Sequence, residues 1–370
     1  MLTKELLESE FSRKWRARLD FAPLRLYPRK KIFSAWSNDW RATGFVEEIN
    51  RSGADIVHLH WIGHGVMSLG EVGRIQAPVI WTMHDAWSFT GGCHYPGACR
   101  HFAGGCGACP QLGSRNVRDL SRWNFDRKRM HFTKVRRWIT PSRWLGEMAR
   151  GSPVIDSARL SVVPNCVDLD LYVPTRRTAA RRRLGLADDM MVFTCGSLDL
   201  GEPRKGNQLL PRALAEWRRL CPETKAELLM FGTGGVPRLE VPGLSVRAMG
   251  SIAEPDAMAD MLAAGDVLIL PSLQDNLPNV AVEAQACGSP VVGFDSGGLS
   301  EIIEPGRTGW LAEELTAEAL GRAMAVSTTQ AKAERPEWSR ESRSRAERLF
   351  APARHGKMLR GIYEEVLRER

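Results

Sequence analysis

Seven short runs, each nearly continuous in valine, isoleucine and leucine, constrain the fold of this chain more than any other feature. They are DIVHLH (55–60), APVIWTMH (77–84), RWITPS (137–142), MVFTCG (191–196), AELLMFG (226–232), DVLILPS (266–272) and SPVVGFD (289–295). A strand that is apolar on both faces leaves no side for water, which is the state of a strand inside a parallel sheet covered by helices. Helix-length stretches such as GNQLLPRALAEWRRL and PDAMADMLAAG lie between the runs. The alternation predicts an α/β protein with open sheets and helices on both faces. A length of 370 residues gives room for two such domains.

The boundary is expected where PNCVDLDLYVPTRRTAARRRLG interrupts the pattern with two prolines, an Asx-rich turn and a basic stretch. The predicted organisation is a first domain over 1–170 with a cysteine-rich loop at 93–109, a second over 188–350, and a terminal helix over 351–370. Two doubly wound domains would meet in a cleft, with ligands at the carboxyl ends of the strands.

Charge divides along the same line. Residues 1–165 hold 25 Lys+Arg against 14 Asp+Glu, and the remainder holds 26 against 29. A basic first half points to an anionic partner: a phosphorylated ligand, a nucleic acid or an acidic lipid surface, with a solvated basic face as the plain alternative. No run approaches the roughly 18 apolar residues of a membrane span. The charged start MLTKELLESEFSRKWRARLDF lacks the apolar stretch of a signal peptide, which predicts a cytoplasmic protein with reduced thiols.

The chemistry is densest in PSLQDNLPNVAVEAQACGSPVVGFDSGGLSEII. A buried strand ends at Pro271-Ser272, a polar loop follows, and a helix is expected to open near Asn279. Asp275 lies on the loop and Glu283 about one turn into the helix. The two carboxylates flank a helix N-terminus whose unpaired N–H groups favour phosphate. An acid among Val282, Ala284 and Ala286 is rarely idle, although an exposed acidic pair is the plain alternative.

This stretch resembles the C-terminal signature of glycosyltransferase family 4, the retaining group 1 enzymes of GT-B architecture. Their pattern is two acids with seven residues between them, then A-x-A-x-G-x-P-V and a G-G-x-x-E-I-I-like tail. It is matched by Asp275, Glu283, Ala284, Ala286, Gly288, Pro290, Val291, Gly297, Gly298, Glu301, Ile302 and Ile303. The first acid is Asp where the family has Glu. The resemblance implies that Glu283 holds the ribose hydroxyls of a nucleotide-sugar. It also implies that Asp275 and the backbone of Asn276, Leu277, Pro278 and Asn279 face the donor sugar and its phosphates. A carboxylate suits a vicinal diol, and Asp275 could favour an oxocarbenium-like transition state through its charge.

In CGSLDLGEPRKGNQLL, Lys205-Gly206 matches the family's cationic loop before a phosphate-facing helix, with Arg204 beside it. The arginine usual after the strand's glycine is replaced by Ser197, and Arg204 is expected to supply that charge. PNCVD (164–168) resembles the interdomain turn, with Cys166 in place of glycine, and FGTGG (231–235) a glycine turn after the next strand.

In the first half, DIVHLHW, PVIWTMHDAW and ITPSRWL resemble a bacterial branch of the family involved in exopolysaccharide and surface-glycan assembly. His84, at the end of a buried strand, is placed to hydrogen-bond a sugar hydroxyl or shuttle a proton. His58 and His60 read as structural. The resemblance also implies an opening strand and Gly-rich loop about a hundred residues ahead of DIVHLHW. Only 54 residues precede that run. The expectation is therefore either a chain that starts late, with Met1 an internal methionine of a longer gene, or a truly shortened N-terminal domain, which would leave an unpaired sheet edge and a damaged acceptor site.

Cys93, Cys99, Cys106 and Cys109 end in a C-x2-C knuckle of the kind that holds a tetrahedral zinc ion. His94 and His101 are alternative nitrogen ligands. Structural zinc competes with unligated thiols in a packed loop, and with disulfides or an iron–sulfur cluster. Four thiolates leave no open position, so no catalytic metal is expected. Residues 118–150 carry ten Lys+Arg among Trp123, Phe125, Phe132, Trp138 and Trp144. These form either a face for an anionic membrane or a core with solvated cations.

The expected function is transfer of a sugar from a nucleoside-diphosphate-sugar to a glycan or lipid-linked acceptor, peripheral on the inner face of the cytoplasmic membrane. The alternatives are a non-catalytic nucleotide-binding homologue and a zinc-braced nucleic-acid-binding protein. The second leaves Asp275, Glu283 and Lys205 without a role and lacks a recognition helix or stacking signature, so no nucleic-acid partner is expected.

Overall fold

The computed structural model describes residues 10–235 and 238–369. Two compact units emerge, Met1–Val163 with Leu359–Arg370, and Pro164–Met358. The division falls at the start of the proline-rich break rather than at residue 170. The terminal helix spans Pro352–Arg368, and its end, from Leu359, counts with the first unit.

The first unit is built on four parallel strands, β1 (Val57–Leu59), β2 (Val79–Thr82), β3 (Val135–Thr140) and β4 (Leu160–Val162), in that order. Every residue of β2 is buried, as a doubly covered strand requires. Its Trp81 stacks on Trp138 of β3 at 5.7 Å and meets Phe132 at 4.8 Å, making an aromatic centre to the core. Among the described residues β1 is hydrogen-bonded on one side only. Among the described residues ahead of it lie the helices Glu10–Asp20 and Phe45–Arg51 and a 3-10 turn over Ala22–Leu26. Phe125, Phe132 and Trp138 are core residues and Trp144 is half-buried. Only Trp123 among the five aromatics of the basic stretch is exposed, with the Arg127 guanidinium 4.4 Å above its ring. That stretch therefore presents its cations with one exposed ring, Trp123, beside them.

The second unit carries six parallel strands. They are β5 (Met191–Asp199), β6 (Ala226–Thr233), β7 (Leu244–Gly250), β8 (Val267–Leu270), β9 (Val291–Phe294) and β10 (Gly309–Ala312), in the order β10-β9-β8-β5-β6-β7. Alternate residues of each inner strand serve opposite cores. Val192, Leu229, Leu268 and Leu270 face one, with the helices Pro255–Ala264 and Asn279–Ala286 over them. Phe193, Cys195, Met230 and Ile269 face the other, beneath the helix Leu210–Leu220 and the first part of Ala317–Phe350. This two-sided burial explains why the runs in the sequence do not alternate with polar residues.

All seven runs are strands. The three strands without a clear run, β4, β7 and β10, are all at sheet edges. There one side is exposed and polar residues are tolerated, as at Ser245 and Arg247.

Candidate functional site

In the six-stranded sheet the chain runs outward in one direction from β5 through β6 and β7, and in the other from β8 through β9 and β10. The loops leaving β5 and β8 therefore diverge at a topological switch point, where an open parallel sheet forms its ligand crevice. The loop after β5 carries Arg204 and Lys205, and the loop after β8 carries Asp275. Lys205 Nζ lies 2.6 Å from Asp275 Oδ2, and an Arg204 guanidinium nitrogen 3.2 Å from Oδ1. The backbone joins the loops as well, through Leu273 N–H donating to Arg204 O at 2.7 Å.

Two glycines make this closeness possible. Gly206 has φ +68°, and a Cβ there would stand 1.8 Å from the carbonyl oxygen of Pro271. Gly297, also at φ +68°, brings the Gly-Gly turn after β9 against Asp275, where a Cβ would stand 2.0 Å from the Asp275 carbonyl oxygen. Gly298 N–H donates to that oxygen at 3.0 Å, and Ser296 Oγ donates to Leu273 O at 2.6 Å. Neither position tolerates a side chain without moving a neighbouring loop.

Burial alone would raise the Asp275 carboxyl, but Lys205 and then Arg204 outweigh it and hold the group below its ordinary value. Asp275 is therefore ionised, and both its oxygens are taken, Oδ1 also accepting Asn276 N–H at 3.0 Å. Arg204 is shared with Glu202 at 2.8 Å, so the charge expected to replace the family's arginine is balanced by two carboxylates. Leu277 belongs to the core, which leaves only its backbone for a ligand. Asn276 is buried, Pro278 caps the helix Asn279–Ala286, and the Asn279 side chain accepts from Asn165 at 2.9 Å.

Glu283 stands four residues into that helix, as expected. Burial pushes its carboxyl up to about 7. Nearby Tyr172 has its phenol pushed up to about 12, by burial and then by the charge of Glu283. Among the described residues no cation compensates Glu283 in the way Lys205 compensates Asp275.

In the first unit His84 follows β2 and is half-buried, with burial lowering its imidazole despite the neighbouring Asp85. Its Nε2 is 3.0 Å from His60 Nδ1, and the His60 ring lies 4.4 Å from that of His58. His60, read from the sequence as structural, thus lies directly against His84. The signal was present in H-x-H on one strand beside T-x-H on the next, since side chains two apart share a face. Asp85 spends its oxygens on Trp87 N–H at 2.8 Å and His94 Nδ1 at 2.7 Å. His94 Nε2 meets Ser37 Oγ at 2.9 Å, so both its nitrogens are engaged and it is not a metal ligand.

All four cysteines line one cavity of about 20 Å³, along with His101, Trp36 and Phe102. Such a volume admits about one water-sized sphere. Gly105, Cys106, Gly107 and Ala108 all have positive φ, the tight turn expected of a knuckle. Burial pushes the Cys106 thiol up to about 12 and Cys109 to about 11, so without a cation these are neutral thiols. As the side chains stand, no three His, Cys, Asp or Glu among the described residues form a set that could hold a metal ion. The loop shares a cavity but not a finished ligand set.

Comparison with known proteins gives a consistent result for both halves. Residues 6–171 match the family model described as Glycosyltransferase Family 4, and residues 190–327 match that described as Glycosyl transferases group 1. A D-inositol 3-phosphate glycosyltransferase of Stackebrandtia nassauensis is 35% identical over 169 residues, covering 42% of this chain and 38% of that protein. One from Acidothermus cellulolyticus is 27% identical over 279 residues, covering 70% of this chain and 56% of that protein. The matches thus span well under two-thirds of these relatives' lengths.

Among solved structures, sucrose-phosphate synthase from Thermosynechococcus elongatus superposes with a TM-score of 0.67 at 20% identity, covering 88% of this chain and 78% of that one. Anabaena HepE, in complex with UDP and glucose, gives 0.61 at 17% identity, covering 86% and 80%. The fold is that of the GT-B glycosyltransferases.

Proposed function

From a GT-B fold whose two halves match two glycosyltransferase family models, we propose that this chain moves a sugar, with retention, from a nucleoside-diphosphate-sugar to a glycan or lipid-linked acceptor in polysaccharide biosynthesis. The observation that carries the reading is the meeting of Lys205, Arg204 and Asp275 at the switch point, with Glu283 one turn into the adjoining helix.

The chemistry follows from competition for the cations. A diphosphate is a better partner for Lys205 and Arg204 than one carboxylate, because it offers more oxygens and more charge. When it takes them, Asp275 loses its counter-ions and its negative charge becomes available to a sugar developing positive charge at C1. Ribose hydroxyls would donate to Glu283. His84 would accept from an acceptor hydroxyl. No metal is given a step, and no protein nucleophile is assigned.

UDP-sugars are the first donors to test, since HepE is held with UDP and glucose. Calorimetric titration against UDP-, GDP- and ADP-sugars is expected to show micromolar-to-millimolar binding of one nucleotide class, with turnover on supply of an acceptor. Absence of binding to every nucleotide overturns the reading. Binding without transfer to any glycan or lipid-linked acceptor favours a non-catalytic homologue.

For the cysteine loop, structural zinc is supported by four thiols around one cavity and by the turn at 105–108. Zinc would draw the sulfurs inward from where they stand and deprotonate them. The purified protein is expected to hold about one equivalent of zinc, released by a chelator with exposure of four thiols. Less than about half an equivalent after metal-replete expression overturns the zinc reading. Attachment to an anionic membrane on the cytoplasmic side rests on the basic charge of the first half alone; among the described residues no helix is long and apolar enough to cross a membrane.

A further inference from the structure

The basic stretch TRRTAARRRLG marks the domain boundary in the sequence, and its arginines fall into two groups in the fold. Arg176 and Arg183 meet Asp256 and Asp260, two cations on two carboxylates. Arg177 and Arg181 meet Asp266 instead, and there Arg335 joins them. Three guanidiniums thus share one carboxylate.

That carboxylate is already saturated. Asp266 lies just ahead of β8 and is locked to β5, donating its N–H to Val192 O and accepting Val192 N–H at Oδ2, both at 2.7 Å. Oδ2 also meets Arg181 at 3.3 Å, and Oδ1 meets Arg177 at 2.7 Å and Arg335 at 2.6 Å. A carboxylate offers about four lone-pair directions, and all are used here. Asp188 adds a through-space pull on Arg177. Even with it, positive charge is in surplus among the described residues.

The three arginines are not equivalent. Arg181 is 4% exposed and also donates to the carbonyls of Ala264, Ala187 and Met190, so it is a fixture of the interior. Arg177 donates to Ala264 O and Gly265 O but stays 22% exposed. Arg335 is 24% exposed, and among the described residues its guanidinium bonds to Asp266 alone. It stands at a bend of the helix Ala317–Phe350, where Glu334 leaves helical geometry two residues ahead of Pro336. Burial lowers the Arg335 guanidinium to about 10; Asp266 opposes that, while the charges of Arg177 and Arg181 add to it.

Partly exposed guanidiniums crowding a saturated carboxylate suit an incoming anion with several oxygens, because each planar fork can hold two of them. A phosphate dianion has the matching charge and oxygen count. The place is not the donor crevice. Asp266 precedes β8 and Asp275 follows it, so a strand about 13 Å long stands between them.

We propose that Arg177 and Arg335, braced by Arg181 and Asp266, form a second anion site that takes a phosphate dianion, free or as a phosphomonoester, at the end of the sheet opposite the donor crevice. The site does not depend on the transferase reading.

The test is calorimetric titration of the full chain at about pH 8 with inorganic phosphate, alongside thermal melts in phosphate and in sodium chloride of matched ionic strength. Lys205→Gln serves as the background, because it weakens phosphate contacts in the donor crevice. In that background phosphate is expected to bind at about one equivalent and to raise the melting temperature. Adding Arg335→Gln is expected to weaken binding about 10- to 100-fold, the usual loss for hydrogen bonds between charged groups. Arg335→Lys, which keeps the charge without the fork, is expected to fall between the two. A hexose 6-phosphate titrated in parallel separates the sources: tighter binding than phosphate marks a phosphomonoester, and equal or weaker binding marks the free anion. No phosphate binding in Lys205→Gln, a melting shift that chloride reproduces, or binding that survives Arg335→Gln overturns the proposal. If Arg335→Gln does not fold, phosphate affinity unchanged by Arg335→Lys overturns it instead.

Discussion

Asp275→Asn is expected to lower kcat by about 10²- to 10³-fold, the usual cost of one preorganised charge at a developing transition state, while nucleotide affinity stays the same or tightens. The split follows from the geometry. The carboxylate holds Lys205 at 2.6 Å and Arg204 at 3.2 Å. A donor diphosphate must displace it from those cations. An amide of the same shape keeps the side-chain volume and the contact with Asn276 N–H, but competes far less for Lys205. Ground-state binding of the diphosphate therefore loses nothing, whereas the charge offered to the sugar is gone. Asparagine is the informative replacement. Alanine would strand the largely buried Lys205 while Arg204 keeps Glu202, at a cost of about 3–5 kcal/mol for a broken buried pair, and would confound catalysis with stability. Steady-state kinetics and calorimetry together check the split. A kcat within tenfold of wild type would show that Asp275 only keeps the two cations in place.

The sequence carried the architecture wherever physics leaves a strong trace. A strand buried on both faces reads as an apolar run, and β2, β5, β6, β8 and β9 were visible for that reason. Edge strands such as β7, half-wet and punctuated by Arg247, leave no such trace. In the candidate site, the positions of Asp275 and Glu283 follow from strand ends and helix turns, and Lys205 was singled out by the resemblance to the family's cationic loop. The ion pair between Asp275 and Lys205 was not legible, since it joins residues 70 apart and depends on which strands sit side by side. The same holds for His60 against His84 and for Ser37 against His94. The cysteine loop shows the opposite imbalance. Its spacing announced a ligand set, yet the structure gives a shared cavity and, through His94, a direct hold on Asp85 beside His84. Whatever occupies that cavity, the loop fixes the turn from which His84 projects.

Glu283 should make donor affinity and protein stability respond to pH in opposite directions. Its carboxyl is raised from the ordinary 4.5 to about 7 by burial. A raised carboxyl is protonated in the folded chain over a range where the unfolded chain is ionised. The folded state therefore binds the extra proton, and stability is lost as pH climbs from about 4.5 through about 7. Ribose hydroxyls need the ionised form as acceptor, so donor affinity should rise across the same interval and level off above about pH 7.5. Below the midpoint it should fall by up to about tenfold per pH unit. Asp275, held below its ordinary value, stays ionised throughout and adds no slope of its own. Glu283→Gln should flatten both curves. It should weaken nucleotide binding at pH 8 by about 10- to 100-fold, since a hydrogen bond to a charged group is worth about 1.5–3 kcal/mol. Thermal melts of the free protein and calorimetric titrations from pH 5.5 to 8.5 check both signs. A donor affinity that is flat with pH in wild type, or a slope that survives Glu283→Gln, would remove Glu283 from the nucleotide site.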